Sequence, residues 1–244
     1  MASGCTGTNH IKLKGKLKML KRFIDIIISF ILLVLFSPVM LISALAVICD
    51  AGFPIFYRGA RVGKDGSIFN ILKFRSMVPE TSKKHSEITA SGDQRITRSG
   101  RFLRKWKLDE FPQFFNVLRG DMCIVGPRPE SPSYVRYYTD EEKYVLNVRP
   151  GITGVIQILF RNEEQMLDVP DPEKYYIDVL MHQKLRYDLA YARYGSVMLD
   201  LMITIITVIA IIMPRCGVAL CNRIIEKRLR CNLSSDSSKS SLET

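Results

Sequence analysis

The chain has 244 residues, enough for one compact domain together with membrane-attachment elements. Hydrophobic residues make up 47% of it and gather in two stretches, 26–49 and roughly 197–213, which argues for a membrane-attached globular protein and against a polytopic one. The net charge of +11 suits anionic partners, and the apolar stretches favour lipid and phosphate over nucleic acid. Six cysteines without a CxxC pair and three scattered histidines give no support to a zinc site or a disulfide framework, and read as reduced thiols in a cytosol-facing protein.

In chain order, residues 12–22 interleave lysine with leucine and methionine, a pattern for an anionic membrane surface, where each basic residue contributes about 1 kcal/mol. The uncharged run 26–49 exceeds a signal-peptide core, and 49–54 offers no small-residue cleavage pattern, so it reads as a retained anchor. About 20 apolar residues suffice to cross a bilayer. Ser37-Pro38, however, lies in the middle of the run, where proline removes a backbone hydrogen bond and bends a helix. Basic residues flank both ends, with Arg58, Arg61, Lys64, Lys73 and Arg75 on the far side, so both ends prefer the cytoplasm. A helix that enters, bends and returns fits these features. A kinked spanning helix fits the length, and the residues alone leave the two readings open.

Residues 53–57 and 68–74 predict two short strands around Gly63-Lys64-Asp65-Gly66. Residues 79–94 read as a polar loop. Between 108 and 118, Leu108, Phe111, Phe115 and Leu118 recur at helical spacing, with Asp109, Gln113 and Asn116 on another face. Pro112 fits only a first turn, so this helix is expected to begin close to Asp109-Glu110. A second helix is expected over 172–193. After 197–213 come a basic patch at 223–230 and a serine-rich tail at 234–244, read as disordered. The expectation is an irregular α+β domain with short strands and several helices, lacking doubly wound alternation. Its layout is a basic interfacial arm (1–22), a membrane helix (23–50), a cytosolic catalytic domain (51–195), and an apolar membrane-associated helix with a polar tail (196–244).

Three features could carry chemistry. Asp109 and Glu110 are adjacent carboxylates where a helix dipole favours negative charge; one could attack phosphorus while the other holds Mg²⁺. Acidic residues also favour helix first turns for purely structural reasons, so context has to decide. That context is basic: Arg95, Arg98, Arg101 and Arg104, then Lys105 and Lys107. Guanidinium groups bind phosphate oxygens bidentately, although such a run also serves as a solvated face. Finally, Pro127 and Pro129 fix the backbone around Arg128, which suits recognition of a diphosphate and equally a rigid surface loop.

Six stretches, in this order, give the chain a resemblance to the bacterial sugar transferase family, the monotopic phosphoglycosyl transferases acting on polyprenyl phosphate. They are KRFID (21–25), Ser37-Pro38, FNILKFRSM (69–77), LDEFPQFFNVLRGDM (108–122), VGPRP (125–129) and RPGITG (149–154). The resemblance covers about 21–211. The resemblance implies a re-entrant helix bent at Ser37-Pro38. It also implies a mechanism in which Asp109 attacks the phosphate carrying the sugar of a UDP-sugar, UMP leaves, and a covalent aspartyl phospho-sugar passes to polyprenyl (undecaprenyl) phosphate. Glu110, with Asp109, matches the Mg²⁺ position. Arg104 and Arg128 match positions for phosphate and nucleotide recognition, and Pro127, Pro129, Lys73 and Arg75 complete the expected substrate-binding set. The implied setting is the bacterial inner membrane, with the catalytic domain facing the cytoplasm against an anionic bilayer, at the first membrane step of glycoconjugate assembly. No nucleic-acid partner is expected, and the sugar and oligomeric state stay open. Larger family members carry an N-terminal bundle of spanning helices that this chain lacks, as in a small form or a catalytic part alone; the segment after Cys216 lies outside the resemblance. The competing reading is a membrane-tethered basic binding module without catalysis.

Overall fold

The computed structural model describes residues 5–78 and 93–223, with side chains from Leu17 onward. The expected loop at 79–94 falls almost entirely outside the described residues, as do the serine-rich tail and nearly all of the basic patch before it.

Helices α1 (Cys5–Leu35) and α2 (Ser37–Ala51) meet at Phe36 with a bend of 63°. Pro38 occupies the first turn of α2, where its missing N–H costs nothing, and the Ser37 hydroxyl donates to the Val34 carbonyl at 2.8 Å. Gly52 ends α2 at φ 68°, a left-handed conformation that glycine adopts without strain. One side of the pair is buried, through Asp25, Ser29, Leu33, Ser43 and Val47. The rest exposes Phe23, Phe30, Ile31, Val34, Leu41 and Ile42. Among the described residues no single helix is long and apolar enough to cross a membrane, but the bent pair together meets that length and composition.

Strands β1 (Phe56–Val62) and β2 (Ile68–Phe74) form an antiparallel hairpin pairing Val62 with Ile68 and Phe56 with Phe74. The first strand starts later than the expected residue 53. The tight turn at Lys64–Gly66 sets the register, so the seven residues of β2 find their partners at 56–62, and Pro54 contributes no N–H to a ladder.

Helix α3 (Arg98–Lys105) is N-capped by Thr97, whose Oγ1 accepts from the Gly100 N–H at 2.9 Å. The segment expected as one helix starting near Asp109 is divided. Leu108–Glu110 form their own 3-10 turn, and α4 (Gln113–Arg119) begins only after Pro112. Next come β3 (Cys123–Val125), α5 (Pro132–Val135), a 3-10 turn (Glu142–Asn147) and β4 (Gly151–Thr153), which pairs parallel to β3. Helices α6 (Val155–Leu159) and α7 (Glu163–Met166) follow. Helix α8 (Pro172–Tyr175), a π turn (Tyr176–Leu180) and α9 (Met181–Tyr194) fill the place of the helix expected over 172–193, and α10 (Val197–Ile212) and α11 (Pro214–Cys221) come last. Among the described residues the architecture is mostly helical with two short two-stranded sheets, more helical than the expected α+β mixture.

Helix α10 does not face outward all round. Leu199, Ile203, Ile206 and Ala210 pack into a core with Val125, Val155, Ile158 and Tyr191, while Met198, Leu201, Ile205 and Ile212 are exposed. Lys21 and Arg22, expected at a lipid surface, turn inward instead. The Lys21 ammonium donates to the Val125 carbonyl and the Tyr191 hydroxyl, both at 2.9 Å, and pairs with Asp200 at 2.7 Å. Arg22 donates to the Leu118 and Met122 carbonyls at 3.2 and 3.3 Å, satisfying the end of α4. Thus α1 is tied to β3, α4, α9 and α10 by charge-assisted hydrogen bonds.

Candidate active site

The Asp109–Glu110 turn is held from both sides. Before it, Lys107 adopts φ 58°, uncommon for a residue with a side chain, and reverses the chain between α3 and the turn. After it, α4 is fastened to β2 by Asn116, which is fully buried. Its Oδ1 accepts from the Leu72 N–H at 2.9 Å, and its Nδ2 donates to the Asn70 carbonyl at 2.8 Å. The polar face of the expected helix is therefore a staple to the hairpin, and it sets the turn beside Lys73 of β2. Lys73 Nζ lies 2.9 Å from Glu110 Oε1. Phe111 packs edge-on against Phe36 at 5.0 Å between centroids, so the bend of the helix pair touches the residue that follows the two carboxylates.

The two carboxylates are inequivalent. Burial, and then the neighbouring Glu110 charge, push the Asp109 carboxyl above its ordinary range, against the pull of Lys73, Lys107 and Arg104. Asp109 Oδ1 is buried and has no hydrogen-bond partner. Glu110 goes the other way: burial opposes its charge, but Lys73, Lys107 and Arg128 hold it well below the usual carboxylate range. Lys73 is itself lowered by burial and by Arg128, with Glu110 opposing. One carboxylate is thus firmly ionised and paired, and its neighbour, whose charge burial disfavours, keeps an oxygen without a partner.

The loop carrying Arg128 is fixed by backbone. Gly126 N–H donates to Thr153 O at 2.9 Å, Gly151 N–H to Pro127 O at 2.8 Å, and Arg128 N–H to Asp188 Oδ2 at 3.1 Å. A side chain at Gly151 would meet the Gly126 nitrogen at 2.1 Å, so β4 can approach this loop only as glycine. Burial works against the Arg128 charge, yet Glu110, Glu163 and Glu130 keep the guanidinium cationic with a raised pKa. Asp188, buried in α9, is pushed up to about 7 by that burial, with the Arg128 N–H and Lys184 pulling down.

The two carboxylates, Lys73 and Arg128 line one cavity of about 2220 Å³. Lys73, Arg75, Arg104, Asp109, Glu110, Arg128 and Pro129 all contribute to its wall; Pro127 and the Ser37-Pro38 pair do not, although Phe36 and Val39 of the bend do. Arg75 borders the cavity, but its guanidinium donates to the Ala51, Gly52 and Phe53 carbonyls, closing the end of α2. Arg104 pairs with Glu164 of α7.

The far wall escaped sequence reasoning. Buried Lys184 pairs with Glu163 at 2.7 Å and donates to the Tyr176 hydroxyl at 3.2 Å, and Tyr176 in turn donates to Glu130 beside the Arg128 loop. These residues are up to 54 positions apart in the chain (130 to 184), and the fold brings them together from the loop before α5, α7, the π turn and α9. Among the described residues no group of three or more His, Cys, Asp or Glu could cage a metal. The Asp109–Glu110 pair could hold Mg²⁺, which commonly takes one or two carboxylates and completes its shell with water and substrate phosphates.

A family model described as bacterial sugar transferase matches residues 16–214. The chain is 41% identical over 201 residues to the UDP-glucose:undecaprenyl-phosphate glucose-1-phosphate transferase of Klebsiella pneumoniae, covering 80% of this chain and 41% of that protein. It is 35% identical over 192 residues to the UDP-N-acetylgalactosamine-undecaprenyl-phosphate N-acetylgalactosaminephosphotransferase of Aeromonas hydrophila, covering 78% and 43%. It is also 32% identical over 210 residues to an uncharacterized sugar transferase, EpsL, of Bacillus subtilis (strain 168), covering 86% and 95%. The chain therefore spans about two fifths of the length of the first two relatives and nearly all of the third. With most of its residues matched by the family model, the chain belongs to the bacterial sugar transferase family.

Proposed function

We propose that this protein transfers a sugar-1-phosphate from a UDP-sugar to undecaprenyl phosphate, releasing UMP through a covalent intermediate on Asp109. The observation that carries the reading is the buried Asp109 carboxylate, with one oxygen free of hydrogen bonds, facing a cavity that also holds Lys73 and Arg128. The relatives' names supply the substrate class.

Asp109 attacks the phosphorus that bears the sugar, the bond to UMP breaks, and the phospho-sugar stays on the carboxylate. An oxygen of the acceptor phosphate then attacks the same phosphorus and frees Asp109. A poorly solvated carboxylate with a raised pKa is a better nucleophile than an exposed one. Arg128, held in place by its backbone, neutralises oxygen charge where it develops. Lys73 keeps Glu110 ionised and oriented. Mg²⁺, held by Glu110 and Asp109 with the donor's phosphates, supplies further charge neutralisation when bound.

The bent helix pair serves as a re-entrant anchor, with the catalytic part on the cytoplasmic side of the bacterial inner membrane. Its exposed apolar side chains and the packing of Phe36 on Phe111 support this, since an anchor of this kind would hold the adjoining carboxylates close to the headgroups. Cysteines placed at Lys18 and Arg58 are expected to react with an impermeant reagent from the same face; labelling from opposite faces would establish a spanning helix instead. For the reaction, incubation with a UDP-sugar, polyprenyl phosphate and Mg²⁺ is expected to release UMP. Release of UDP would identify an ordinary glycosyl transferase.

A further inference from the structure

Five buried side-chain polar atoms among the described residues have no hydrogen-bond partner, and four of them belong to residues of the one large cavity: Asp109 Oδ1, Arg75 Nε, and both amide atoms of Gln157. An orphaned atom on Asp109 is what the proposed chemistry requires. Gln157 has no part in that chemistry, yet it keeps a donor and an acceptor vacant together, an arrangement native proteins avoid because the desolvation is costly.

Gln157 lies on α6, just after the β4 strand that supports the Arg128 loop. Neither amide atom finds a partner within the protein. A Cβ at Gly154 would come within 2.8 Å of Gln157 Oε1. Ile152, Ile156, Val208 and Ile211 give the cavity apolar surface beside Thr204 and Thr207. A flat heterocycle suits such a wall better than a polyol, which would lose many hydrogen bonds to water there. A carboxamide complements a ring edge on which a donor and an acceptor stand side by side, and uracil presents that edge through N3–H and its flanking carbonyl oxygens. Arg128, Lys73 and Arg104 in the same cavity supply cations for the attached phosphates.

We propose that Gln157 reads the base of the nucleotide-sugar, its Oε1 accepting from uracil N3–H and its Nε2 donating to an adjacent ring carbonyl oxygen. This rests on the proposed function and adds a base-recognition residue to it. Because the carboxamide can rotate to serve cytosine, the informative probe is a uracil whose N3 is blocked.

The test is calorimetric binding of UMP and of N3-methyl-UMP to the full chain in detergent, using the wild type and Gln157→Leu. The wild type is expected to prefer UMP by about 10- to 100-fold, the usual worth of a bidentate base contact. Gln157→Leu is expected to bind both nucleotides at the weak N3-methyl level, with a melting temperature equal to or above that of the wild type, because it removes two unpartnered buried atoms. A preference that survives in Gln157→Leu, an equal loss for both nucleotides, or a lower melting temperature would each overturn the inference; Gln157→Met serves if the leucine variant does not fold. The reading of the reaction fails separately: a wild type that releases no UMP from any UDP-sugar removes it whatever the nucleotide preference, whereas UMP release with an intact preference in Gln157→Leu removes only the role of Gln157.

Discussion

Two buried charge clusters in this protein look alike in composition and differ in completeness. Around Lys21, every hydrogen-bonding direction is met: the ammonium reaches Asp200, the Tyr191 hydroxyl and the Val125 carbonyl, and Tyr191 lies between Asp200 and that carbonyl. Around Asp109, Lys73 is committed to Glu110, and Asp109 Oδ1 is left with nothing. A completed cluster fastens elements together, whereas an incomplete one keeps strain available for a ligand. Burial and charge alone do not distinguish a clamp from a reactive site; the unfilled valence does.

The sharpest way to break this comparison is Asp109→Asn. The account expects turnover to fall by roughly 10³-fold or more, in line with the loss of other covalent nucleophiles. It also expects the melting temperature to rise by about 2–4 °C, since a neutral isostere relieves a desolvated charge beside Glu110. Wild-type turnover in that variant would remove the nucleophile. A lower melting temperature would mean that Asp109 completes a structural cluster after all.

Lys21→Met probes the other side. It strands Asp200 with less of its compensation and is expected to destabilise the protein by about 3 kcal/mol, read from the urea midpoint. Turnover per folded molecule should stay within about twofold of the wild type, and a selective loss of activity at unchanged stability would contradict the clamp.

A third test concerns Asp188, raised to about 7 in the fold from an ordinary carboxylate value near 4. Between those pH values the folded state binds a proton that the unfolded state does not, so this group adds stability as pH falls from about 7 towards about 4. Asp188→Asn keeps an acceptor for the Arg128 N–H and removes the titration. The difference in stability between wild type and variant should therefore change across that window, and a difference that is flat with pH would contradict the shifted carboxyl.

How much of this was legible in the sequence follows from distance along the chain. Asp109, Glu110 and the Pro127-Arg128-Pro129 loop stand out as candidates by residue type and spacing, which leave their structural readings open until the ordered motifs are taken together, whereas the bend at Ser37-Pro38 is legible because proline acts on its own turn. Arg75 was expected at substrate, but a guanidinium serves helix-end carbonyls as well as phosphate, and only the fold shows that Ala51, Gly52 and Phe53 receive it. The parallel pairing of β3 and β4 was invisible, since three-residue strands carry no periodicity. Asn116 had been placed on a polar face, and the hairpin packed against that face turned it into a staple. Glu163 and Lys184 give no signal, because nothing near them in sequence hints at a shared cavity, and Gln157 lies just beyond the RPGITG stretch without a chemical pattern of its own.

A bond between Asp109 and phosphorus is the step on which the proposed reaction depends. Incubating the protein with a UDP-sugar and Mg²⁺ in the absence of acceptor, then quenching and mapping peptides by mass spectrometry, is expected to find one phospho-sugar on Asp109 and none in Asp109→Asn. Product formation on adding polyprenyl phosphate, with Asp109 unmodified throughout, would contradict it.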